Sequence, residues 1–266
     1  MIQSEELIHS QLDNAQNQTT TIEEGNKHTR CHFTVAPSWN KLTKDSFITM
    51  DEHLKLLLAI TFHNIEKFVR DHGQDSLSWE KLLELMDQNA MIERKSTTDM
   101  EVKQTKRRSD RNYFKIDGKS DQILRDEVVR WIRESIQDPE LLNIIGKEAM
   151  DKIATIYAET GAKISGFCAF FAKTEVQEFT LLDVGIIRTP DITKPWLQLF
   201  RIKIFVHRHN QRVLFVEDND SLLTLEANTR DYIPRPEVMK SINPKIMAKA
   251  IEETNKLLAE MLGIDL

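Results

Sequence analysis

The chain has 266 residues, of which 40% are apolar, and carries a net charge of −6 with a pI near 5.8. That length and apolar content support a sizeable core. The acidic balance argues against the broad basic field of a nucleic-acid binder.

Residues 1–30 are polar, acidic and rich in Asn, Gln and Thr. They hold too few large apolar groups to offset the entropy of ordering, so a mobile polar leader is expected. The opening MIQSEELIHSQLDNAQNQ lacks a basic n-region and an apolar h-region, and is not a Sec signal peptide. No apolar run approaches the ~20 residues of a spanning helix. A soluble protein is expected, cytoplasmic or released by a non-Sec route.

Residues 31–266 read as a single α+β domain. CHFTVA, from Cys31 to Ala36, alternates and predicts a first strand, which Pro37 ends. Leu54, Leu57, Leu58, Ile65, Phe68 and Val69 recur at helical spacing and predict a helix over 50–72, with Thr49 as N-cap and Gly73 beyond its end. A second helix is expected over 78–88. Residues 93–112 lose apolar periodicity and gather charge, which predicts a solvated charged loop. Helices follow over 121–137 and 147–160, the latter stopped by Gly161.

The period then changes from 3.6 to 2. SGFCAFFAK, EFTLLDVGIIRT, WLQLFRIKIFVHR, RVLFVED and LLTLEAN predict strands, with turns at Asn210-Gln211 and Asp218-Asn219-Asp220. Asn243 and Pro244 predict the cap and first turn of a final helix to Leu262. The expected architecture is a mostly antiparallel central sheet wrapped by helices, with a helical N-terminal half and a C-terminal helix.

No P-loop, GxGxxG, GxSxG, HExxH or CxxC pair is present, so no catalytic motif assigns an enzyme and no cofactor is implied. His207 and His209 fall on one face of a strand, with Glu217 a hairpin away, and form the best metal candidate. Arg208 and Arg212 oppose a cation there. Cys168 lies within GFCAFF, where a thiol packs as a small hydrophobe or serves as a lipid or thiol site. With Cys31 as the second of two cysteines, a disulfide scaffold is excluded. Lys103, Lys106, Arg107, Arg108 and Arg111 make a basic cluster that reads either as a solvated loop or as a surface for phosphates or anionic membranes. No aromatic alternates with them, and no strong nucleic-acid signal follows. Phe200, Ile202, Ile204 and Val206 share one face of a strand long enough to meet a bilayer, which needs about 9–11 residues. A sheet with one face on the core and one on solvent gives the same alternation.

The order of RCHFTVA, the helix from Met50, the helices to Thr160, SGFCAFFAK, WLQLFRIKIFV, RVLFVEDNDSLLTLEAN and YIPRPEVMKSI resembles that of the Cyt-type cytolytic toxins, a family of pore-forming proteins. The resemblance covers about residues 30–242, in element order and pattern. It implies a sheet wrapped by helical layers and a membrane-active, toxin-like or virulence protein. Such a protein would act on lipid membranes through amphipathic strands, trimmed in the leader or at Lys103 to Arg111 and assembled as a homo-oligomer. Two other readings stay open: an intracellular ligand-binding or metal-dependent protein with a pocket between sheet and helices, and a non-catalytic interaction module.

Overall fold

The computed structural model describes residue 12 and residues 32–35, 44–73, 76–96, 100–113, 122–158, 172–213 and 216–262. Among them the fold is α+β. In chain order the elements are β1 (His32–Val35), α1 (Lys44–Thr49), α2 (Glu52–His72), α3 (Trp79–Asp87), β2 (Ile92–Arg94) and β3 (Met100–Tyr113). There follow α4 (Gln122–Ser135), α5 (Pro139–Ala158), β4 (Ala172–Arg188), β5 (Leu197–Val213), β6 (Val216–Pro234), α6 (Pro236–Ser241) and α7 (Pro244–Leu262). The strands form one sheet in the order β1-β4-β5-β6-β2, and β3 also pairs with β6. The β2–β6 pairing is antiparallel, with Ile92 opposite Pro234 and Arg94 opposite Tyr232.

The chain forms two compact units. The first holds residues 102–184 and 202–227, with 1–29; the second holds 30–101, 185–201 and 228–266.

In the second unit α2 packs against α7 and α3, and α3 packs against β2. The α2 N-cap is Asp51, not Thr49: its carboxylate accepts from the Leu54 amide at 3.0 Å, while its own amide donates to the Ile192 carbonyl at 2.9 Å. Gly73, at φ 84°, ends the helix as the sequence predicts. Below α3, Asp87 collects three donors. Arg94 binds it through both Nε and Nη2, Arg230 Nη1 lies 3.2 Å away, and the Tyr232 hydroxyl donates at 2.9 Å. Tyr232 is fully buried, and burial pushes its phenol above the ordinary value.

In the first unit α4 packs against α5, and Val128 and Ile132 of α4 and Ile153, Ala154 and Ile156 of α5 are buried. The α5 N-terminus is capped by Asp138, whose Oδ1 accepts from the amides of Glu140 and Leu141. The helix begins at Pro139 and is broken at Gly146, so the expected 147–160 helix is its second segment.

Three local expectations are corrected. Residues 93–112 are not a loop: Ile92–Arg94 and Met100–Tyr113 are strands. The local charge that suggests solvation is matched across the sheet by carboxylates more than a hundred positions away, as with Lys103 and Glu226. Asp218-Asn219-Asp220 is not a turn but lies inside the continuous strand β6, and Asn210-Gln211 lies inside β5. Residues 214–215, between the two strands, lie outside the described residues. The SGFCAFF part of the expected SGFCAFFAK strand, the leader apart from a buried, helical Leu12, and both cysteines also lie outside them.

Burial alone would raise the Asp87 carboxyl, but the Arg94 and Tyr232 hydrogen bonds and the Arg94 and Arg230 charges hold it below the usual carboxylate range. A depressed carboxylate contributes stability above its unfolded pKa, and that stability is lost as pH falls through the folded value. Acid titration of unfolding free energy is therefore expected to fall below about pH 4. In Asp87→Asn that limb becomes shallower and stability at pH 7 is lower; an unchanged acid limb would remove Asp87 from this role.

Candidate functional site

The site is the apolar face of β4, β5 and β6 in the first unit, together with the helical segment that covers it. Along β5, Ile202, Ile204 and Val206 are buried, while Arg201, Lys203 and Phe205 are half-buried and His207 and His209 exposed. This is the alternation of a strand with two unlike faces. Phe179 and Leu181 of β4 and Leu223 and Leu225 of β6 are buried too, although β4 is buried at every position from 179 to 187 and Thr224 is buried between the two leucines of β6. Phe200, the first of the four expected membrane-facing residues, is also buried and belongs to the second unit, where Arg188 stands 5.7 Å from its ring.

At the end of this face β5 places Arg208 in register with Val206. Its side chain is 8% exposed, and the guanidinium Nη2 donates to the Ile156 carbonyl at 2.9 Å and lies 3.5 Å from that of Tyr157. These carbonyls close the C-terminus of α5, where a cation also meets the negative end of the helix dipole. The same guanidinium lies 5.9 Å from the Phe179 ring. Tyr157 is fully buried, and its hydroxyl sits 3.2 Å from the Lys106 carbonyl of β3 and 3.1 Å from the Ser221 carbonyl of β6. One phenolic proton is thus shared between two strands. The second segment of α5 is held to three strands by two side chains.

The opposite face carries charge. The Arg107 fork donates to both Asp220 oxygens at 3.0 and 2.8 Å, and Lys103 meets Glu226 at 2.6 Å. His207 Nδ1 stands 3.8 Å from Glu178. The Arg107 hydrogen bond holds the Asp220 carboxyl below its ordinary range, and the nearby His209 and His207 act in the same direction. Lys103 and Lys203 both approach the Phe205 ring, at 5.9 and 5.3 Å.

The five expected basic residues do not form one patch. Strand alternation sends Lys103 and Arg107 to the charged face and Lys106 and Arg108 to the other. Lys106 pairs with Glu127 of α4 at 3.1 Å. The Arg111 side chain lies outside the described residues, as do those of Glu217 and Cys168. His207 and His209 share a face as expected, but among the described residues no group of three or more His, Cys, Asp or Glu side chains is placed to hold a metal ion.

Sequence reasoning missed Arg208 and Tyr157 as partners. The signal for Arg208 was present: Ile202, Ile204, Val206 and Arg208 keep one parity, which puts the guanidinium on the buried face. Removing it leaves helix-end carbonyls without their donor in a buried setting. Arg208→Ala is expected to lower the unfolding free energy by about 2 kcal/mol, and Arg208→Lys to recover part of that loss. Chemical denaturation measures both, and a change in Arg208→Ala below about 0.5 kcal/mol would contradict the assignment.

No family model matches the chain, and no curated protein does. Among solved structures, a delta-endotoxin aligns over 81% of this chain and 92% of its own length, at 10% identity and a TM-score of 0.25. The activated monomer of Cyt2Ba from Bacillus thuringiensis subsp. israelensis aligns over 76% of this chain and 97% of its own, at 11% identity and a TM-score of 0.26. Both scores lie far below the level of a shared fold, and neither assigns a fold or a function to this chain.

Proposed function

We propose that this is a membrane-active, toxin-like protein that meets lipid through the apolar face of its long strands. The observation that carries the reading is the length of the strands combined with the alternation of β5 over 201–209. Strands β4, β5 and β6 have 17, 17 and 19 residues and are consecutive in the sheet. Ordinary strands have about 3–10 residues, and a strand that crosses a bilayer needs about 9–11. Phe179, Leu181, Ile202, Ile204, Val206, Leu223 and Leu225 supply an apolar side to this stretch. The polar side, with Lys203, His207, Asp220 and Glu226, suits water. No described helix is long and apolar enough to cross a membrane, so among the described residues the strands are the elements that suit lipid contact.

Burial energetics set the condition for such contact. Exposing seven large apolar side chains to water costs about 1.5–3 kcal/mol each, or roughly 10–20 kcal/mol together. The helices therefore stay in place in solution. Hydrocarbon removes most of that cost by taking their position. Within hydrocarbon an open sheet edge leaves backbone groups without partners, so three strands from one chain do not suffice. Several copies pairing edge to edge close the structure, which makes the partners of this reading a lipid bilayer and further copies of the chain.

Dye-loaded vesicles of mixed neutral and anionic lipid test this directly, with and without prior trypsin. Leakage is expected, stronger after the leader is trimmed. Backbone pairing of β3 with β6 protects Lys103 to Arg111 from the protease, so cleavage is expected in the leader and not there. Intact vesicles and no lipid binding under either condition would remove the reading.

A further inference from the structure

We propose that Lys95 and Trp196, both in the second unit, form a binding site for a phosphate group, with the Lys95 ammonium and the Trp196 indole N–H as its donors. Nothing in the site rests on the membrane reading.

Backbone bonds fix both residues. Strand β2 pairs with β6 from Ile92 to Arg94, and the Lys95 amide extends that ladder by one step, donating to the Asp231 carbonyl at 2.9 Å. Trp196 immediately precedes β5, the neighbour of β6 in the sheet, and its amide donates to the Lys194 carbonyl at 2.8 Å. The connection that carries it is tied to the start of α2, where the Asp51 amide donates to the Ile192 carbonyl at 2.9 Å. From these positions Lys95 Nζ lies over the Trp196 ring, 3.3 Å from its centroid.

That contact leaves both groups without an acceptor. A ring face attracts an ammonium but carries no net charge, and an indole N–H, like an ammonium, can only donate. Lys95 is exposed, and its ammonium makes no ion pair or hydrogen bond among the described residues. Trp196 Nε1 is buried and finds no acceptor there either. Neighbouring carboxylates are engaged by other groups. Asp231, level with Lys95 in the ladder, accepts from Gln198 Nε2 at 2.8 Å, and Gln198 in turn accepts from Arg188 Nε at 2.5 Å. Asp191, in the connection before Trp196, pairs with Lys194 at 2.7 Å and accepts from the Thr193 amide and hydroxyl.

The directions of the donors select the ligand class. An indole N–H lies in the plane of its ring, whereas this ammonium lies above the face. The oxygens of a carboxylate share one plane. Those of a tetrahedral phosphate diverge, so one oxygen can meet the N–H while another meets the ammonium. Charge agrees, since an ammonium without a counter-ion favours an ionised oxygen. In the complex the exposed Lys95 chain moves off the ring to meet the anion and lets an oxygen reach the N–H. A buried N–H without an acceptor destabilises the protein, and the ligand oxygen relieves that penalty. Free phosphate and a lipid headgroup present the same oxygens.

Solution NMR of the full, isotope-labelled chain tests the site. The sequence has four tryptophans, and Trp196→Phe identifies the indole N–H signal of residue 196. Titration with inorganic phosphate at constant ionic strength should move that signal saturably and leave the other indole signals in place. Lys95→Met should weaken the response about tenfold, and Lys194→Met, whose ammonium already sits on Asp191, less than about twofold. Acetate, being planar, should bind at least about fivefold more weakly than phosphate. An unmoved Trp196 signal, all indole signals moving together, equal weakening by both lysine variants, or an equal response to acetate would overturn the site. Once the phosphate response is seen, sedimentation with neutral glycolipid vesicles containing phosphatidic acid assigns its source. Binding lost in Lys95→Met adds the lipid headgroup as a ligand, and binding that ignores Lys95 restricts the site to free phosphate. Neither result depends on leakage.

Discussion

The alternation of side chains along β5 is the constraint on which the rest of the first unit depends. Because successive residues point to opposite sides, Ile202, Ile204 and Val206 are fixed on one face and Lys203, His207 and His209 on the other. A one-residue slip would reverse every one of them. Once that register is set, the buried side meets the end of α5 through Arg208, which reaches the Ile156 and Tyr157 carbonyls. Arg208 falls on the covered side by parity. Helix-end carbonyls and the Phe179 ring are among the groups that receive this cation.

The opposite face solves a different problem. Strand β3 carries Lys103, Lys106, Arg107 and Arg108 within six positions, a density that disfavours a regular strand by repulsion alone. On the charged face Asp220 and Glu226 of β6 pair with Arg107 and Lys103, while on the other face Glu127 of α4 pairs with Lys106. Exposed pairs of this kind contribute little to net stability. Their role is register: they make one pairing of β3 with β6 better matched than its neighbours, and charge along an edge discourages pairing with other chains.

Much of this was legible in the sequence. The switch of period beyond α5, the helix over 52–72, the capping by Asn243 and Pro244, and the α+β class all follow from local pattern. The errors have a common physical origin. Residues 93–112 look like a loop because Asp220 and Glu226, the partners of Arg107 and Lys103, are more than a hundred positions away in the chain. Asp218-Asn219-Asp220 looks like a turn because these residue types favour turns, yet Asp220 is held extended by the bidentate Arg107 contact. The break at Gly146 looks like a helix start, since a positive φ inside a helix leaves no periodic signature. For the site, the apolar quartet was visible, whereas Tyr157 reads as one more core aromatic until its hydroxyl is seen between two strands.

The central claim is that the buried, even-numbered side of β5 becomes the lipid-facing side. Single cysteines at 206 and 207, each carrying an environment-sensitive fluorophore, test it with vesicles whose acyl chains bear a quencher. The account predicts strong quenching at 206 and weak quenching at 207. Equal quenching at both positions, or none at 206 once the protein has bound, would contradict it.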